Sequence, residues 1–357
     1  MTKVLHVQKV SGISGSEAHL LSLVPLLRSR GWDASMVVLH QDEPGAHEFV
    51  RRMRAQDVPT EAWRMRADVD PLVFARLASK RVDIVHTHLV HADIHGLPAA
   101  ALARVPLRVS TKHGFNEFRS SRAVALADRT AARFAQRQIA ISAGLADYLA
   151  ATEGFARSDF TVVHYGIEPG PEPPPPPAEP RLVAVGRLIP IKGFDVLLQA
   201  FAQARAQVPA LTLEIAGSGP LGFAPQDGVT FLGHVSPVQS LFERNAIAVV
   251  PSRGEGFGMV ALEAAERGRA AIVTNVGGLP EIVADGETGL VVEPAGLADA
   301  IVELARDPGR VRAMGAAARA RAVAQFSPEA SVEGVERVYR ATADAASSTS
   351  RKSNDTR

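Results

Sequence analysis

Near its middle the chain reads Glu168-Pro-Gly-Pro-Glu-Pro-Pro-Pro-Pro-Pro-Ala-Glu-Pro180. No helix interior or central strand tolerates such a run, because each proline lacks an N–H and locks φ. The run is expected to be a stiff polyproline-II spacer. A PxxP docking site is the other reading of the same residues. Its central position in a chain of 357 residues favours a linker. One hydrophobic core rarely serves so long a chain, so a domain is expected on each side.

Each half alternates short β-rich runs with helical patterns. In the first half, strands are expected at Val4–Val7, Ala34–Val38, Ile84–Thr87, Arg108–Thr111, Gln138–Ile141 and Thr161–His164, with helices near 16–30, 70–79, 121–136 and 143–151. In the second half, strands are expected at Arg181–Val185, Thr212–Ala216, Val229–Leu232, Ala246–Pro251, Ala270–Thr274 and Gly289–Val292. Helices follow near 193–206, 237–243, 258–267, 279–284 and 296–305. Such alternation implies parallel sheets covered on both faces. The expected fold class is α/β: two doubly wound, Rossmann-like domains facing each other across a cleft, with ligands beyond the carboxyl ends of the strands. The domains are placed at 1–167 and 181–325, with 168–180 as the linker. The polar segment 347–357 is expected to be a disordered tail.

Composition excludes several function classes. The apolar share of 46% and charged share of 22% are those of an ordinary soluble protein. A net charge of +1 argues against a dedicated nucleic-acid binder, without excluding a local basic patch. The absence of cysteine removes disulfides, cysteine-ligated zinc and thiol nucleophiles, and fits a reducing compartment. The first ten residues show no signal-peptide pattern, and no stretch reaches the length of a bilayer span. The expectation is a soluble, cytoplasmic protein.

Two segments carry chemistry. Arg253-Gly-Glu-Gly-Phe-Gly-Met-Val-Ala-Leu-Glu263 follows an apolar strand. Gly254, Gly256 and Gly258 permit close backbone approach and tight turns. A helix should start near Gly258 and stop at Gly268. Its first N–H groups form an anion site. Glu255 precedes that helix and Glu263 lies about one turn inside, where carboxylates suit sugar hydroxyls. An acidic first turn complementing the helix dipole is the plainer reading, but it leaves three glycines without a purpose. The second segment, Val185-Gly-Arg-Leu-Ile-Pro-Ile-Lys-Gly193, delivers Arg187 and Lys192 beyond the first strand of the second half. A forked guanidinium and a compact ammonium suit a diphosphate. Two solvated surface charges are the alternative.

Together these segments resemble the retaining nucleotide-sugar glycosyltransferases of GT-B architecture, in the E-x7-E branch called glycosyltransferase family 4. Glu255 and Glu263 match the paired glutamates, Gly186-Arg187 and Lys192-Gly193 match a G-R…K-G element, and Asn275 to Leu290 matches the loop and helix that follow. In the first half the match is looser, at the glycine-containing loop Ser11–Gly15 followed by Glu17. The resemblance implies that Arg187 and Lys192 neutralise the donor diphosphate, with Gly15 lining its other side. Glu263 would take the ribose hydroxyls. Glu255 and the stretch Gly256, Phe257, Gly258, Met259 and Val260 would hold the donor sugar. Gly186 belongs to the same donor site, and Gly233, His234 and Val235 would face the base. His113, in Thr-Lys-His-Gly-Phe, would lie near the reaction centre. A final helix within 326–346 would return to the first domain. The implied reaction moves a hexose from a UDP- or GDP-linked donor to a glycan, lipid-linked or small-molecule hydroxyl, as in cell-envelope polysaccharide assembly. It needs no metal and no cofactor. A nucleotide-sugar epimerase or phosphorylase on the same fold, or a non-catalytic sugar-nucleotide-binding subunit, remains open.

Three further features compete for attention. Gly217-Ser-Gly-Pro-Leu-Gly222 spells G-x-G-x-x-G, but a dinucleotide fingerprint needs a helix to begin there, and Pro220 is followed by loop-like residues. His86, His88, His91 and His95 fall within ten residues. They read as structural or substrate-contacting groups sooner than as a metal site, because no H-E-x-x-H pattern accompanies them. Arg119, Arg122, Arg129, Arg133 and Arg137 lie largely on one expected helix. A solvated helix face is the plain reading. A weak peripheral contact with the inner face of a membrane is the other.

Overall fold

The structure, a computed structural model, describes residues 1–114 and 122–354; for 122, 123 and 342–354 it describes the backbone alone. The chain divides into two compact units. The first comprises Met1–Ile141, Leu145–Gly166 and the chain from Pro328 onward. The second comprises Ser142–Gly144 and Ile167–Ser327.

Unit 1 is built on seven strands, β1 (Lys3–Lys9), β2 (Asp33–His40), β3 (Thr60–Arg64), β4 (Ile84–His88), β5 (Leu107–Lys112), β6 (Arg137–Ala140) and β7 (Phe160–Val162). They pair in parallel in the order β3-β2-β1-β4-β5-β6-β7. Period-two alternation sends Val4, Ala34, Ile84 and Val109 to one face and Leu5, Val37 and Val85 to the other. The first face is covered by α1 (Gly15–Ser29), α2 (Pro44–Arg54) and the last helix, α13 (Pro328–Asn354). The second is covered by α3 (Pro71–Ala78) and α4 (Leu89–Leu102). α5 (Arg122–Ala132) and α6 (Ala143–Thr152) complete the connections. α13 docks through Val332, Val335, Val338 and Tyr339, a helical stripe buried in the same core as Leu20 and Leu23 of α1.

Unit 2 repeats the plan with β8 (Arg181–Val185), β9 (Thr212–Ala216), β10 (Val229–Gly233), β11 (Ile247–Val250), β12 (Ala270–Thr274) and β13 (Gly289–Val292). The parallel order is β10-β9-β8-β11-β12-β13. Its helices are α7 (Phe194–Gln207), α8 (Gln239–Arg244), α9 (Met259–Glu266), α10 (Leu279–Ile282), α11 (Leu297–Ala305) and α12 (Pro308–Gln325). Both sheets follow the doubly wound order, first outward one way and then back past the starting strand. The switch point lies between β1 and β4 in unit 1, and between β8 and β11 in unit 2. No helix of the described residues is long and apolar enough to cross a membrane.

The structure departs from the sequence expectation in four elements, in the proline-rich run and in the last helix. β3, α2, α4 and α12 were not expected. β3 is a short edge strand with three exposed residues in five, so its pattern is weak. α4 contains Gly96 and Pro98, which read as breakers, yet its buried face holds it against β4 and β5. The proline-rich run is no free spacer: it lies on unit 2. Prolines bring no N–H to such a run, so its carbonyls are available. Arg269 takes the Pro174 carbonyl at 3.0 Å, Arg319 takes that of Gly170 at 3.0 Å, and Glu266 accepts from the Gly170 N–H at 2.8 Å. Finally, α13 continues to Asn354, through most of the segment expected to be a disordered tail; Ala341, Ala343, Ala345 and Ala346 are strong helix formers that carry it onward. Residues 355–357 of that tail lie outside the described residues.

Candidate functional site

In unit 2 the loops leaving β8 and β11 meet at the switch point, and hydrogen bonds tie them together. After β8 the chain makes a 3-10 turn, Pro190–Lys192, before α7. Arg253, after β11, donates its backbone N–H to the Ile191 carbonyl and its guanidinium to the Pro190 carbonyl, both at 2.8 Å. The same guanidinium grips Asp195 of α7 with two bonds of 2.8 and 2.6 Å. That pins the turn carrying Lys192 against the segment carrying Glu255. Lys192 Nζ donates to Glu255 Oε2 at 2.6 Å, and Ser252 Oγ reaches the same oxygen at 3.2 Å. The loop after β12 closes from the other side. Gly277, at φ +53°, passes so near that a Cβ there would sit 1.7 Å from the Glu255 carbonyl oxygen. That carbonyl accepts the Gly278 N–H at 3.2 Å.

Gly258, at φ +112°, caps α9, a conformation that side chains rarely adopt. The helix therefore starts where the spacing predicted, with the Met259 and Val260 amides in its first turn. Gly268, at φ +67°, ends it as expected. Glu263 is half-buried on α9, and among the described residues its carboxyl has neither hydrogen bond nor ion pair. Burial without a partner pushes its pKa up to about 7. Arg187 is exposed and likewise has no partner among the described residues. Gly186 and Gly217 extend the row: Gly186 N–H binds the Ala216 carbonyl at 2.9 Å, and Gly217 N–H binds that of Gly233 at 2.7 Å. His234, next in line, is exposed, and Val235 is half-buried. Phe257 is buried edge-on against Phe326, so only its backbone is left for a ligand. Ser142 Oγ donates to the neighbouring Gly256 carbonyl at 2.5 Å. Among the described residues the arrangement offers one free cation, one cation shared with a carboxylate, a helix N-terminus and one free carboxyl. That set can hold an anionic group beside hydroxyls.

In unit 1, His113 follows β5 and Gly15 opens α1 after β1. Glu17 is occupied as a cap: its Oε2 accepts from Ser14 N–H at 3.1 Å and Ser14 Oγ at 2.6 Å. Both ring nitrogens of His113 are engaged. Nδ1 meets the Tyr165 hydroxyl, and Nε2 lies 2.9 Å from His88 Nδ1. Loss of hydration drives the His113 pKa well below the ordinary histidine range.

The competing features resolve as follows. Residues 217–228 form no helix, so the G-x-G-x-x-G run is a turn between β9 and β10. His91 and His95 do lie one turn apart on α4, but His95 Nδ1 binds the His91 carbonyl at 2.7 Å and His95 Nε2 accepts the Asp70 N–H at 2.9 Å. His6, His86 and His88 bring nitrogens within 4.8 Å of one another. Hydrogen bonds already occupy these rings: His6 to His88 at 3.0 Å, and His86 to Tyr339 and Thr111 at 2.7 and 2.6 Å. Arg129 and Arg133 are exposed, and with Arg137 they line a groove at the amino ends of β6 and β7. The strands run away from that groove toward His113. Arg119 and the Arg122 side chain lie outside the described residues. Sequence reasoning missed the buried Lys112, whose ammonium binds Asp93 at 2.6 Å and Asp128 at 3.0 Å. Nothing local marks these three residues as partners.

The family model described as "Glycosyltransferase Family 4" matches residues 13–170, and "Glycosyl transferases group 1" matches residues 179–307. Glycogen synthase of Mycobacterium tuberculosis is 32% identical over 297 residues, covering 73% of this chain and 69% of that protein. The α-maltose-1-phosphate synthase of Mycolicibacterium smegmatis is 29% identical over 373 residues, covering 91% and 95%. Among solved structures, Anabaena HepE in complex with UDP and glucose superposes with a TM-score of 0.81 at 20% identity, covering 96% of this chain and 100% of that one.

Proposed function

Because the chain belongs to glycosyltransferase family 4, with the GT-B fold, we propose that it moves a hexose from a UDP- or GDP-linked donor to a hydroxyl acceptor, with retention at the anomeric carbon and without a metal ion. The acceptor hydroxyl belongs to a glycan, a lipid-linked sugar or a small molecule. The observation that carries this reading is the knot at the β8/β11 switch point. Among the described residues Arg187 stands free, Lys192 is clamped to Glu255, and Glu263 is unpaired on α9.

In this reading the diphosphate lies against Arg187, Lys192 and the amino end of α9. Negative charge grows on the β-phosphate oxygen as its bond to the anomeric carbon breaks, and fixed positive groups favour that state. The acceptor oxygen bonds to the same carbon, and its proton passes to the departing phosphate. Glu263 accepts ribose hydroxyls, Glu255 orients the sugar, and the backbone around Gly233, His234 and Val235 meets the base. Two relatives support a sugar nucleotide as donor: one named glycogen synthase and one solved with UDP and glucose.

The test begins with a thermal-shift screen against UDP, GDP, ADP and their sugars, since a ligand bound to the native state raises Tm. With the donor so identified, Arg187→Ala and Lys192→Ala should each lower kcat by roughly 10²–10³-fold, the usual effect of removing one stabilising group. Turnover should persist in EDTA. Normal turnover in both variants would sink the assignment.

A further inference from the structure

Strand alternation in unit 1 puts His6 and Gln8 of β1, His86 and His88 of β4, and Thr111 of β5 on one face, and His113 follows directly after β5. This is the face that α1 and α13 cover. Toward the amino ends of these strands the face is apolar, with Val4, Ile84 and Val109. Toward the carboxyl ends it becomes a sealed layer of imidazoles. His6, His86 and His88 are at most 1% exposed. The rings are joined end to end. Tyr165 Oη meets His113 Nδ1, His113 Nε2 lies 2.9 Å from His88 Nδ1, and His88 Nε2 lies 3.0 Å from His6 Nδ1. His6 Nε2 then faces Tyr339 Oη at 3.5 Å, and that hydroxyl lies 2.7 Å from His86 Nδ1.

A neutral imidazole has one donor nitrogen and one acceptor. With three neutral rings in series, every bond in the run can be satisfied only if all donate in the same direction. The tautomer of His113 is then set by its neighbours. An imidazolium in the run is opposed by burial, which lowers the His6 pKa to about 3 and those of His88 and His113 well below the ordinary range. Among the described residues, the groups around His113 are engaged. His19 of α1 stacks on Tyr165 with centroids 4.2 Å apart. Glu17 of α1 is held by Ser14 and Gln8, and Lys112 of β5 by Asp93 and Asp128.

We propose that His88 and Tyr165 are positioning residues for His113, and that His6 backs His88, so that His113 is presented as a neutral ring in one fixed tautomer. His113 has no free nitrogen with which to take a proton from an acceptor. It contributes orientation and a fixed dipole, and the chain from Tyr165 to His6 holds that dipole still. This inference rests on the proposed role of His113 near the reaction centre, but the chain can be tested without it.

The experiment uses the full-length protein labelled with ¹⁵N-histidine, with His113 assigned by loss of its signals in His113→Gln. In the wild type, His113 should show one neutral tautomer, unchanged from pH 8 to pH 5.5. His88→Phe keeps an aromatic ring and removes both nitrogens. It should restore a titration of His113 near its ordinary pKa of about 6.5. It should also add an acid limb to kcat, with a roughly tenfold loss at pH 5.5, one unit below that value. KM should change little. His88→Asn, whose amide can stand in for Nδ1, should remove the limb. Tyr165→Phe deletes a single hydroxyl and serves if His88→Phe fails to fold; it should leave His113 in mixed tautomers. Ordinary titration of wild-type His113, or unchanged His113 signals in both His88→Phe and Tyr165→Phe, overturns the proposal. Wild-type turnover in His113→Gln would instead remove the assumed role of His113 while leaving the hydrogen-bonded chain intact.

Discussion

At the residue scale, Glu263 is held in a costly state. Its carboxyl is half-buried without a partner among the described residues, and its pKa rises to about 7. A carboxyl whose folded pKa exceeds its unfolded value loses stability as pH rises through that window, because the unfolded chain ionises first. Glu263→Gln is therefore expected to stabilise the ligand-free protein at pH 8, by about 1–2 kcal/mol, read as a higher Tm. The same variant should weaken nucleotide binding by roughly tenfold or more, the scale of a lost hydrogen bond to a charged group. Wild-type affinity should fall below pH 7 as the carboxyl protonates, and calorimetry across pH 6–8 should show this slope vanish in the variant. The position of Glu263 was legible, since spacing from Glu255 put it one turn into a helix. Its isolation was not, because that depends on which side chains fold away from it.

At the element scale, a buried arginine is one of the groups that hold the proline-rich segment, beside Arg319 and Glu266. Arg269 is 1% exposed, and its guanidinium donates to the carbonyls of Phe242, Glu243, Asn245, Arg267 and Pro174 at 2.6 to 3.0 Å. Burial lowers its pKa to about 10, which still leaves it charged at neutral pH. Arg269→Ala would strand these oxygens beneath the segment and should destabilise unit 2 by about 3–5 kcal/mol, the cost of breaking a buried charged network. Denaturant unfolding would measure it, and a loss below 1 kcal/mol would contradict the anchoring role. The prolines exclude helix and strand from the segment, as the structure has it, because that exclusion is local. Its docking depends on carbonyls that α8 and the turn before β12 expose only after folding.

At the scale of the whole molecule, the two units should respond differently to acid. His6, His19, His86, His88 and His113 all lie in unit 1 with depressed pKa values, His6 and His19 at about 3, through loss of hydration. A histidine with a lowered folded pKa supports the fold above the unfolded value of 6.5. That support is lost as pH falls toward the folded value, because the unfolded chain binds the proton first. Each contributes up to about 2 kcal/mol of destabilisation at pH 5, from 1.4 kcal/mol per pH unit. Trp32 and Trp63, the two tryptophans of the chain, also lie in unit 1. Tryptophan fluorescence should therefore report unfolding at a higher pH than far-UV circular dichroism, which sees both units. Coincident transitions would mean that the units unfold together or that the histidine layer carries little of this cost.

The sequence by itself determined the strand succession of unit 2 and the helix start at Gly258 with its flanking glutamates. These rest on period-two burial and glycine at positive φ, both properties of neighbouring residues. Only the tertiary structure decided which charges pair and which stay free. Lys192 meets Glu255 across 63 residues, His113 meets His88 across 25, and His86 meets Tyr339 across 253. Such contacts follow from the parallel order of the strands and the return of α13 to the first sheet. A spacing rule reads residues that share a helix face or a strand. It cannot read residues that share only the end of a sheet.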